Sequence, residues 1–179
     1  MERILQGLEV LRESDDISDL NAFQVYFRLY GGWPALLTSW YFWLSLFFSF
    51  LCYPIWNEEV ENERIWTSSA VEIIPSLMSF SLGGMAILLA FSNEKLMERI
   101  QESGAADSLY MKTSASFFHF ILLQTLSLLA VLLTQAFSVD LLSWFGFFLM
   151  SYGLMVAVAV SGNLLKLAQV FNLLAAKKK

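Results

Sequence analysis

From Trp33 to Trp56 the chain reads WPALLTSWYFWLSLFFSFLCYPIW without one charged side chain, and a run of that kind leaves few folding options. A helix rises about 1.5 Å per residue, so about 20 mainly apolar residues cross the roughly 30 Å hydrocarbon core of a bilayer. Three further runs are comparable: 69–92 (SAVEIIPSLMSFSLGGMAILLAFS), 114–137 (SASFFHFILLQTLSLLAVLLTQAF) and 141–165. Only 15% of the residues are charged, against about 25% in an average soluble domain, so lipid rather than a larger core must solvate the excess apolar surface. The expected fold class is all-α, a polytopic four-helix transmembrane bundle. Its parts are an amphipathic segment (1–32), the bundle (33–176), an acidic outer loop (57–66), an inner loop (93–113) and a basic tail (177–179).

Lysine and arginine collect on the cytoplasmic side of membrane proteins. Arg3, Arg12 and Arg28 precede the first run, and Lys95, Arg99 and Lys112 lie between the second and third. Lys166, Lys177, Lys178 and Lys179 follow the fourth, which leaves Arg64 alone on the other side. Both termini are therefore expected in the cytoplasm, and setting the terminal lysines aside does not change the result. The opening MERILQGLEVLRESDDISDL is too polar for a cleaved signal, so the first run is expected to be an uncleaved anchor. Ile4, Leu8 and Leu11, then Phe23, Phe27 and Tyr30, recur at helical spacing. They predict one or two amphipathic helices along the inner interface, the second capped by Ser18 or Asp19. Residues 93–101 extend the second span, and Asp107 is expected to cap the third. A short turn at 138–140 makes spans three and four a tight hairpin.

Glu72, the one acid inside a span, has two readings. An intramembrane carboxylate is a functional candidate; yet Ser69 and Glu72 have capping-box spacing, and that structural reading is favoured. Ser76, Ser79, Gly83, Ala86 and Ala90, with Gly84 beside them, form a small-residue stripe on the second span, and Gly153, Ala157 and Ser161 form one on the fourth. Such stripes let helices approach closely, within one subunit or between copies. Ser116, Ser127 and Thr134 line one face of the third span, flanked by His119 and Gln124. These groups suit a pore lining or, more often, polar contacts between helices. At the inner face, Arg28, Lys95, Arg99, Lys112, Asn163 and Lys166 are candidates for contact with lipid headgroups or a partner.

Other classes find little support. A net charge of −5 without a basic stripe argues against direct nucleic-acid binding. Cys52 is the only cysteine and is expected to pack as a small apolar residue. No HExxH, GxSxG or phosphate-cradling glycine loop is present, so neither an enzyme nor a cofactor or metal site is expected. The two hairpins share no repeat that would suggest a transporter.

The segment IIPSLMSFSLGGMAILLAF (73–91), a proline followed by a Ser/Gly-rich apolar helix, together with the span layout, resembles the membrane component of the Kiwa anti-phage defence system of bacteria. That resemblance implies a non-enzymatic inner-membrane sensor and scaffold that assembles with its own copies, with a tetramer as the working number. It further implies a soluble, DNA-binding partner held at the cytoplasmic face. A pore-forming effector, of the kind attached to some retrons, is the alternative, and a small transporter the third. Single cysteines placed at 94–112 on a Cys52→Ser background are predicted to resist an impermeant maleimide in intact cells, while those at 57–63 react. Labelling of 94–112 from outside would reverse the topology.

Overall fold

In a computed structural model of the protein, residues 20–61, 63–90 and 108–176 are described. Ile4, Leu8, Leu11, Ser18, Asp19, Lys95, Arg99, Asp107 and the lysine tail lie outside them. The described chain is helical apart from one small hairpin: α1 (Ala22–Tyr30), α2 (Gly32–Thr38), α3 (Trp40–Leu51), α4 (Tyr53–Asn57), β1 (Glu59–Val60), β2 (Glu63–Arg64), α5 (Ile65–Ala90), α6 (Leu109–Phe137) and α7 (Asp140–Ala176). Among the described residues three helices, α5, α6 and α7, are long and apolar enough to cross a membrane; counting the bent pair α2–α3 as one span makes four. α7 is continuous for 37 residues, about 55 Å at 1.5 Å per residue, and so outruns a bilayer core.

The first apolar run is not one helix. α2 and α3 meet at 55°, because Ser39 is extended, and the chain turns again at Cys52 just ahead of Pro54. Thr38 Oγ1 donates to Pro34 O at 2.7 Å, a back-bond that bends helices. Carbonyls freed near these breaks need partners in an apolar setting. Tryptophans supply them: Trp43 Nε1 donates to Leu37 O and Trp56 Nε1 to Ser49 O, each at 2.7 Å.

The central pair is α6 on α7, with α5 against α6, α3 against α7 and α1 against α6. One buried cluster runs through Phe117, Phe120, Leu123, Phe148, Tyr152 and Val156; a second joins Cys52, Trp56, Trp66, Ile74, Val131 and Phe147. Close approach is set by two glycines. A Cβ at Gly146 would meet the Trp66 ring at 3.1 Å, and one at Gly84 would meet the Phe117 ring at 3.0 Å.

Several element starts differ from expectation. α1 is capped by Asn21, whose side chain accepts from Gln24 N while Gln24 Oε1 accepts from Asn21 N, a complete capping box. Ser108 rather than Asp107 caps α6. α5 begins at Ile65, so Ser69 and Glu72 already lie inside the helix and form no capping box. Within the acidic loop β1 and β2 pair as an antiparallel hairpin, with Glu59 opposite Arg64.

Arg64, read from sequence as a loop charge, has a side chain only 4% exposed. Its guanidinium donates to Asn57 O at 2.6 Å and Ser138 O at 3.4 Å, and forms ion pairs with Glu59 and Asp140. One side chain thus ties the end of α4, the hairpin and the α6–α7 turn. Just inside it, Trp66 Nε1 donates to Ser143 Oγ, which donates to Trp56 O, joining α5, α7 and α4. Arg64→Ala is expected to cost about 1–3 kcal/mol through lost charged hydrogen bonds, seen as a lower melting temperature in detergent. Asp140→Asn, at an exposed partner, should cost less.

Candidate functional site

A buried polar cluster sits where α1 lies on α6. Gly31, at φ +93, ends α1 in the left-handed conformation and turns the chain into α2. Tyr26 and Tyr30 are four residues apart and therefore share one face of α1. Phe23 meets Phe118 edge-on at 5.5 Å, and Tyr26 meets the same ring at 5.3 Å, which seats the helix. Between them lies His119, 2% exposed. Tyr26 Oη is 2.6 Å from His119 Nδ1, and Tyr30 stacks on the imidazole at 4.1 Å. From α7, Tyr152 Oη approaches Nε2 at 3.5 Å. Tyr26 O–H donating to Nδ1, with Nε2–H facing Tyr152, meets both contacts with a neutral ring. One histidine thereby fastens α1 to both central helices.

Burial pushes the Tyr26 phenol up to about 12, aided by the nearby Tyr30 charge, and burial also raises Tyr30. Neither tyrosine stands out from composition. The available signal was their i, i+4 spacing beside a buried histidine three spans away, and only packing connects the two.

The polar line on α6 faces inward. Ser116 is half-buried and its Oγ accepts from Asn163 Nδ2 at 3.1 Å, a bond between α6 and α7. Gln124, Ser127 and Thr134 are buried; Thr134 Oγ1 donates to Ala130 O. Gln124, Ser127 and Thr134 thus lie inside the subunit.

The two small-residue stripes separate in the same way. Gly153 is buried and faces Gln124, Ala157 is half-buried and Ser161 is exposed. On α5, Gly84 packs inward, whereas Ser76, Ser79, Gly83, Ala86 and Ala90 are all exposed, and space around Gly83 is open. Glu72 is exposed on the same line, two turns into the helix, and its carboxylate has no partner among the described residues. Ser76 Oγ donates to Glu72 O and Ser79 Oγ to Pro75 O, so those hydroxyls are met within the helix. Lys166 is exposed, Asn163 is engaged by Ser116, and Arg28 lies in the last turn of α1.

Comparison with protein-family models, curated proteins and solved structures finds no match.

Unfolded tyrosines ionise near pH 10. The folded protein resists that ionisation, so these phenols leave stability unchanged below about pH 10 and reduce it as pH rises towards about 12. Melting temperatures followed across that window should fall, with a shallower slope in Tyr26→Phe. At neutral pH the same variant strands a buried Nδ1 and is expected to cost about 1–3 kcal/mol.

Proposed function

We propose that the chain is a four-span protein of a bacterial inner membrane, with both termini cytoplasmic, that associates with copies of itself. It holds a soluble partner at the cytoplasmic face and serves as sensor and scaffold of an anti-phage defence complex. The observation that carries self-association is the outward face of α5, where Glu72, Ser76, Ser79, Gly83, Ala86 and Ala90 lie exposed in one line. Lipid tails offer a carboxylate no hydrogen bond, and they pack less well than a second helix against small residues. A neighbouring copy answers both needs.

The orientation reading rests on the lopsided distribution of Lys and Arg, and the fourth span on taking α2–α3 together. For the partner, support comes from α1, which lies on α6, and from the length of α7 beyond a bilayer core. The defence role and the DNA-binding character of the partner come from the resemblance at 73–91. Glu72 within the seam also favours the second reading, an oligomeric pore lined by α5.

Gly83→Leu is expected to lower the mass of the detergent-extracted oligomer at least two-fold, while Val158→Leu, on an exposed face of α7, leaves it unchanged. A soluble protein encoded beside this one should co-purify with the wild type. A wild-type monomer would refute self-association; an oligomer without any partner would refute the scaffold; ion conduction in planar bilayers would favour the pore.

A further inference from the structure

At the midpoint of α6, Gln124 is 2% exposed and Ser127 is 1% exposed. Among the described residues, Gln124 Nε2, Gln124 Oε1 and Ser127 Oγ have no hydrogen-bond partner. Three such atoms within one helical turn are unusual, because buried polar groups are nearly always met. Other hydroxyls in these helices satisfy themselves on their own backbone: Thr125 on Ile121 O, Thr134 on Ala130 O, Ser81 on Leu77 O. Ser127 Oγ does not.

Across from the Gln124 Cγ methylene, α7 presents Gly153. A Cβ there would meet Gln124 Cγ at 3.8 Å and no other heavy atom within 4 Å. The notch therefore has room for a methyl-sized body. Elsewhere in these contacts glycine does the opposite, since Gly84 and Gly146 sit tight against Phe117 and Trp66.

We infer that Gln124, Ser127 and the Gly153 notch form a binding site for a small neutral hydrogen-bonding ligand, and that its occupant is water. The ligand must accept from Nε2 and donate to Oε1 or Oγ, which calls for a molecule with both capacities. Among the described residues no charged side chain is buried beside the pair, so an ion would go uncompensated. A site with three polar atoms meets the two to four partners that an internal water needs. Such a water makes the α6–α7 seam wet at its centre, between the apolar clusters above and below.

The test uses the full-length protein in lipid nanodiscs, with magnetisation transfer from water read at the assigned Gln124 side-chain amide. Transfer is expected at Gln124 and absent from the backbone amides of Leu123 and Ala130. Gly153→Ala should abolish it by filling the notch. A second readout needs no spectrum: Gln124→Met should lower the melting temperature, because it strands the water against Ser127. Absence of transfer in the wild type overturns the inference, as does a Gln124→Met variant that melts higher, the result expected of a dry, unpartnered amide.

Discussion

In a bilayer two apolar helices gain little from excluding water, so α6 and α7 hold together by how closely and how completely their surfaces meet. Among the described elements, α1 and α5 rest on α6, and α3 and α4 rest on α7. Phe117, Phe120 and Leu123 from α6 interleave with Phe148, Tyr152 and Val156 from α7. Gly146 admits the Trp66 ring between them, which is how α5 gains its seat. A side chain at that position would push α5 outward, loosening the Trp66–Ser143–Trp56 chain that reaches α4.

Polar contacts finish both ends of this apolar assembly, each by a different device. At one end, Arg64 spreads a single charge over carbonyls and carboxylates from three connections. At the other, neutral His119 reads two tyrosines through its two ring nitrogens while a third stacks on its face. The first suits a location reached by water, where the exposed Asp140 keeps much of its hydration. The second suits a dry one, where a neutral ring avoids the desolvation of a charge.

The outer helices carry the consequences. α3 is short and broken at both ends, and its flanking carbonyls are closed by indoles rather than by a continued helix. α5 is long but far less buried than α6 and α7. Its inward side is spent on Trp66, Ala70, Ile74 and Ser81, which leaves Glu72, Ser76, Ser79, Gly83, Ala86 and Ala90 facing away. An acid left outside the subunit is therefore a property of how α5 is rotated, and rotation follows from Trp66 and Gly84.

Length and apolarity alone dictated the long helices, because a run such as 114–137 has no other way to satisfy its backbone in lipid. The helical content and the tight turn before Asp140 were legible for the same reason, being set by neighbours in the chain. Partners distant in sequence were not. Nothing about Arg64 among four glutamates says that it turns inward to Ser138 and Asp140, and nothing about Tyr26 says that it meets His119. Periodicity found both stripes yet could not say that Gly153 faces Gln124 while Gly83 faces outward, since a helix repeats every 3.6 residues whichever way it is turned. Rotation of each helix about its own axis is fixed by side chains interlocking across the bundle, and only the packed structure holds that information.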